Sequence, residues 1–124
     1  MMKKVGALIG ALIMTGSVAA KESYEMVNTK FSDGVSYEEQ HRSMLELNAV
    51  VSAFEGFKSR NFYYSQDDNR WVDIVVWENN QLAKSASVEV MNNPIAMAVF
   101  AKMDFENSIF SYYERIGELN SSED

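Results

Sequence analysis

The chain has 124 residues, 47% of them hydrophobic and 23% charged, with no cysteine, one histidine, one proline and a formal net charge of -7. That composition, with 2 Trp, 6 Tyr and 7 Phe, describes one compact domain and argues against intrinsic disorder, because enough apolar surface is present to offset chain ordering. Disulfides, thiolate metal sites and cysteine nucleophiles are excluded, and a single histidine leaves little for a transition-metal site or a histidine-dependent triad.

Residues 1–20 read as a secretory signal peptide. Met1 to Lys4 form a short basic start, Val5 to Thr15 carries no charge, and Ser17-Val18-Ala19-Ala20 offers small residues for cleavage. With Val18 and Ala20 at the positions that signal peptidases favour, the mature chain starts at Lys21. The apolar run falls short of the roughly 20 residues that span a bilayer, so the expectation is a periplasmic or secreted protein without a mature membrane anchor. Removing Lys3 and Lys4 lowers the basic count from 11 to 9 against 18 acidic residues, a side-chain charge of -9 over 104 residues. Such an acidic domain, with no basic patch among its aromatics, is not a nucleic-acid binder. Residues 21–116 are expected to form the domain and residues 117–124 a polar tail.

Tyr24 to Phe31 alternates as a first strand, with Tyr24, Met26 and Asn28 on one side and Val27, Thr29 and Phe31 on the other. Ser36 followed by Glu39 predicts a capping box that opens a helix over Tyr37 to Phe54. Its apolar stripe is Tyr37, Gln40, Met44, Leu47, Val51 and Phe54, and Gly56 ends it. Phe57 to Ser65 and Trp71 to Trp77 are two strands of a hairpin. A tight turn at Asp68 and Asn69 would set Tyr64 opposite Asp73. Alternation divides this hairpin into an aliphatic face of Tyr63, Val72, Ile74 and Val76, expected under the helices, and a face of Arg60, Phe62, Tyr64, Trp71, Asp73, Val75 and Trp77. Asn79 to Met91 reads as a second helix, Ile95 to Lys102 as a short third helix after Pro94, and Ser108 to Ile116 as a fourth strand.

The order strand, helix, strand, strand, helix, strand predicts an α+β, ferredoxin-like βαββαβ domain with helices on one face of a four-stranded antiparallel sheet. The Trp71/Asp73/Trp77 face would then stand in water, an apolar patch that a homodimer pairing two sheets would remove.

From about Met26 to Tyr113 the sequence resembles the dimeric α/β-barrel superfamily, and within it domains like the antibiotic biosynthesis monooxygenases. The resemblance rests on Phe54-Glu55-Gly56-Phe57 at the helix-to-strand corner and on the strand from Arg70 to Glu78 with its Trp71, Asp73 and Trp77. It extends to Ala83-Lys84-Ser85-Ala86, which leads to Met91-Asn92-Asn93-Pro94. The superfamily contains cofactor-free oxygenases, haem-degrading enzymes, isomerases, cyclases and members without known activity. The resemblance therefore implies the fold, and a cofactor-free monooxygenase-like activity as the first expectation if the chain is an enzyme.

Haem degradation within the superfamily calls for a haem-ligating histidine, and His41 is the sole candidate; at the flank of the first helix it reads as a surface residue. The candidate catalytic residues are otherwise Asp73, as proton acceptor for a phenolic or enolisable ligand, and Tyr64 as hydrogen-bond donor across the hairpin. Trp71, Trp77, Phe62 and Arg60 complete a candidate pocket for a small flat aromatic or apolar ligand. No metal ligand set is evident. The alternative is a non-catalytic dimeric structural or interaction domain in which Asp73 pairs with Arg60 and these residues form an interface. A cavity of about 300 Å³ or more lined by Asp73 favours the first reading, and a filled face with Asp73 bonded to Arg60 favours the second.

Overall fold

The computed structural model describes residues 21–122. The expected signal peptide, residues 1–20, lies outside them. The described chain runs β1 (Ser23–Thr29), α1 (Tyr37–Val51), β2 (Phe57–Ser65), β3 (Arg70–Trp77), α2 (Asn80–Glu89), a 3-10 turn at Val90–Asn92, α3 (Pro94–Phe100), a second 3-10 turn at Phe105–Asn107, and β4 (Ile109–Tyr113). All strand pairs are antiparallel, and the order β2-β3-β1-β4 places β3 and β1 at the centre. This is the ferredoxin-like α+β arrangement, with α3 inserted before the last strand.

Each helix starts at a side-chain cap. Ser36 Oγ accepts from the Glu39 amide at 3.1 Å, Asn79 Oδ1 from the Leu82 amide at 2.8 Å, and Asn93 Oδ1 from the Ala96 amide at 3.0 Å, with Pro94 opening α3. The Glu39 carboxylate does not close the expected capping box; it pairs with Lys102 beyond α3 at 3.2 Å. Helix α1 ends three residues before Phe54, because the Ala53 and Phe54 amides bond only three residues back, to Val50 and Val51.

Gly56 then turns the chain into β2 at φ +91, where a Cβ would lie 2.7 Å from Leu82 Cδ1 and 2.8 Å from Leu82 Cβ. Only glycine meets both demands, the left-handed backbone and the close helix. Gly56→Ala is expected to destabilise the domain by about 2 kcal/mol, read as a lowered thermal midpoint. An unchanged midpoint would show that α2 yields freely at this corner.

The hairpin differs from expectation in two ways. Gln66 to Asn69 forms a four-residue connection, with Asn69 at φ 52, so the register moves by two: Phe62 faces Asp73, and Tyr64 faces Trp71. More consequentially, the two faces are exchanged. Trp71, Val75 and Trp77 lie under the helices at 2%, 4% and 1% exposure, whereas Val72, Ile74 and Val76 are on the open side and only partly buried. The aliphatic set looked like core because, Tyr63 apart, it carries no polar side-chain atom. The aromatic set is nevertheless the better core, since it buries larger surfaces and its polar ends are satisfied. Trp71 Nε1 donates to Gln40 Oε1 at 2.9 Å, and Trp77 Nε1 donates to Glu25 Oε1 at 2.8 Å.

Buried side chains between sheet and helices gather in three clusters. Leu47 and Val50 of α1 meet Ala96 and Val99 of α3; Val75 and Trp77 meet Ala83 and Ala86 of α2; Phe31 and Met44 meet Trp71. The clusters leave a space where they would otherwise join.

Candidate functional site

That space is a cavity of about 550 Å³ between the inner face of the sheet and the helices. Its floor includes Met44, Leu47, Val75, Trp77 and Ala86, all buried, while Met91, Phe105 and Phe110 at its edge are about half exposed. A sealed empty void of this size would cost on the order of 10 kcal/mol, comparable with the whole stability of a domain. The exposed edge residues give the space a mouth through which water or a ligand can enter.

Two carboxylates stand in this largely apolar wall, Glu25 on β1 and Asp73 on β3. Glu25 pairs with Val75 and Asp73 with Val27 across the same two strands, so the carboxylates are diagonal neighbours on one face. Their surroundings differ. Arg60 Nε donates to Asp73 Oδ1 at 3.0 Å and Nη2 donates to Oδ2 at 2.7 Å, with the two side chains 2% and 13% exposed. Arg60 Nη1 also donates to the Met44 carbonyl and to Asn48 Oδ1, both at 2.7 Å, and the guanidinium lies 4.3 Å from the Phe62 ring centre. One buried arginine thus joins β2, β3 and α1.

No such cation bonds to Glu25 among the described residues. Among the described residues the Trp77 indole is its sole hydrogen-bond partner. Burial pushes its carboxyl up to about 7; the indole bond opposes the shift, the negative charge of Asp73 adds to it, and Arg60 opposes it. Tyr112 lies opposite Glu25 on β4 and bonds its hydroxyl to Ser87 of α2. Burial raises the Tyr112 phenol as well, with the Glu25 charge contributing.

Of the residues singled out from sequence, Asp73 and Trp77 line the cavity. Arg60 stands behind Asp73, reaching it rather than the cavity wall. Tyr64, Trp71 and Phe62 do not line the cavity but pack with Phe31 and Met44 near the hairpin end, where the Tyr64 hydroxyl donates to Asn69 Oδ1 at 2.7 Å. The expected pocket of Tyr64, Trp71, Asp73 and Trp77 is therefore divided, since the shifted register and the overlying α1 seat Trp71 in a different cluster from Trp77.

His41 is exposed on α1, with its ring 6.1 Å from that of Trp71 and 5.9 Å from that of Tyr37. It does not line the cavity, so the residues present do not fit a haem ligated from this wall. Among the described residues no group of three or more His, Cys, Asp and Glu side chains gathers as a metal site.

Glu25 is the residue that sequence reasoning missed. Its signal was present, because Glu25 shares the parity of Val27, Thr29 and Phe31, the inward side of the first strand. An acidic residue on the apolar side of a central strand is a departure from pattern worth noting.

The ferredoxin-like α+β fold of this chain is shared by solved structures that include oxygenases such as SnoaB and the ActVA-Orf6 monooxygenase. SnoaB, a cofactor-independent oxygenase from Streptomyces nogalater, superposes with a TM-score of 0.69 at 19% identity, covering 82% of this chain and 100% of its own. The monooxygenase from the gene ActVA-Orf6 of Streptomyces coelicolor, solved with nanaomycin D, gives 0.63 at 16% identity over 82% of this chain and 94% of that one. A possible oxidoreductase of unknown function from Bacteroides thetaiotaomicron gives 0.61 at 12% identity over 78% and 100%. No protein-family model and no curated protein matches the sequence. At these identities the likeness is one of fold.

Proposed function

We propose that the protein is an exported, homodimeric, monooxygenase-like domain that holds a small, flat, largely apolar molecule between its sheet and its helices. The observation that carries this reading is the cavity of about 550 Å³ with two carboxylates in an otherwise mainly apolar wall. Ligand sites have this character, an apolar concavity with a few placed polar groups, within a range of about 300–1,000 Å³. Trp77 supplies an aromatic edge, and Glu25 and Asp73 supply polarity. A cofactor-free reaction is the first expectation, because SnoaB is a cofactor-independent oxygenase and the ActVA-Orf6 monooxygenase was solved with a small ligand.

Asp73 itself is better read as structural. Its bonds to Arg60 tie three elements together, which is the part the non-catalytic alternative assigned to it.

For the dimer, the surface is now the face opposite to the one expected from sequence. Val72, Ile74 and Val76 stand on the side away from the helices with Tyr63, Ile109 and Tyr113, which are 57%, 64% and 46% exposed. A second copy covering this face would remove an apolar patch from water.

Native mass spectrometry of the protein recovered from an exporting cell tests all three parts. The expected species is a dimer of chains beginning at Lys21, carrying a retained small molecule that is released on denaturation. A chain retaining Met1 would refute export, a monomer would refute the sheet-face pairing, and ligand-free protein that takes up no flat aromatic probe would refute the binding role.

A further inference from the structure

Glu25 has a combination of features that the proposed binding role does not use. It stands in the cavity wall, and among the described residues no cation bonds to it and only one of its carboxylate oxygens is bonded. An unpaired acceptor in an apolar space is costly unless a donor satisfies it. The groups around it supply no second donor. On β3 it meets the Trp77 indole and Asp73, whose charge is matched by Arg60 of β2. On β4 the Tyr112 hydroxyl is engaged with Ser87 of α2, and Lys84 of α2 lies 5.9 Å from the Tyr112 ring centre. The cavity residues of α1 and α3 are apolar, namely Met44, Leu47, Val51, Met97 and Phe100.

We propose that Glu25 is the proton acceptor of this cavity and that the molecules it selects carry a weakly acidic hydroxyl group aimed at its free oxygen. The inference deepens the proposed binding role and rests on it. Ligand carboxylates are disfavoured beside the Glu25 carboxyl in a largely apolar wall, whereas a neutral hydroxyl donor brings no charge to be desolvated. In the transfer step the ligand O–H bond breaks, its electron pair stays on the ligand oxygen, and the proton forms an O–H bond with the Glu25 carboxylate. A group ionising near neutrality, as burial makes this one, exists in both forms at working pH and suits such transfer. The assignment moves the proton-accepting role from Asp73, committed to Arg60, to the carboxylate left unpaired.

The test compares 1-naphthol with 1-methoxynaphthalene, its O-methyl ether, as matched flat probes that differ in the donor hydrogen. In the wild type, preference for the naphthol is expected to rise about ten-fold between about pH 5.5 and 8, as Glu25 ionises and its hydrogen bond becomes charge-assisted, while ether binding stays flat. In Glu25→Gln the rise disappears and the ether binds as in the wild type. A flat wild-type profile, which needs no variant to observe, or a rise that survives in Glu25→Gln, overturns the assignment of Glu25 alone. Failure of both probes to bind the wild type overturns the binding role and this inference together.

Discussion

Replacing Arg60 by methionine is expected to lower stability by about 3–5 kcal/mol, equivalent to a fall in Tm on the order of 15 °C for a domain of this size. The substitution preserves much of the apolar stem but removes every donor from a nearly buried carboxylate. It also frees the Met44 carbonyl and Asn48 Oδ1 from α1. Most of the loss comes from the uncompensated Asp73 charge, not from the attraction of the pair, because a buried ion pair roughly balances its own desolvation. The double variant Arg60→Met/Asp73→Leu should therefore recover more than half of it. Thermal melts of the single and double variants check both points, and a single variant melting within a few degrees of the wild type would show that Asp73 reaches water.

Glu25→Gln is expected to act in the opposite direction, stabilising the domain by about 2–3 kcal/mol at about pH 8 and hardly at all at about pH 4. The folded-state carboxyl is raised from 4.5 to about 7, so the contribution of Glu25 is fully present below 4.5 and is lost as pH rises through 7. Between those values the unfolded chain has released the proton while the folded chain retains it, and stability falls with pH. Glutamine has no charge to desolvate, and its carbonyl can still accept from Trp77 Nε1. Urea denaturation of both proteins across this range checks the prediction. Parallel profiles would mean that water reaches Glu25 well enough to keep it charged without cost. A site group whose removal stabilises the fold while abolishing the pH-dependent ligand preference is the usual conflict between stability and activity.

Local patterns were legible where they depend on neighbours in the chain. Ser36 was readable as a helix start because its side-chain oxygen reaches an amide three residues on, a matter of local geometry alone; Asn79 and Asn93, not read as caps, turn out to do the same. Strand parity was also readable, and every residue assigned to one side of the hairpin shares that side in the structure. Which side faced the helices was not. That choice depends on whether the indoles, the guanidinium and the carboxylate find partners, and the partners Gln40, Glu25, Met44 and Asn48 come from β1 and α1. The shift that set Phe62 opposite Asp73 had a similar origin, because the turn formers from Gln66 to Asn69 serve a four-residue connection as well as a two-residue one.

The candidate site was half legible for the same reason. Asp73 and Trp77 were found through their alternation on one strand, and both line the cavity. Tyr64, Trp71 and Phe62 have the same parity but belong to another cluster, since distance along a strand separates residues that face the same way. By itself the sequence determined the order of elements, the Ser36 cap, the alternation and the acidic, cysteine-free composition, all of which follow from local stereochemistry and residue counts. Only the tertiary structure decided that the aromatic face is covered, that Arg60 neutralises Asp73, and that Glu25 stands beside a cavity with no cation bonded to it among the described residues. Burial and pairing are properties of residues brought together from distant parts of the chain.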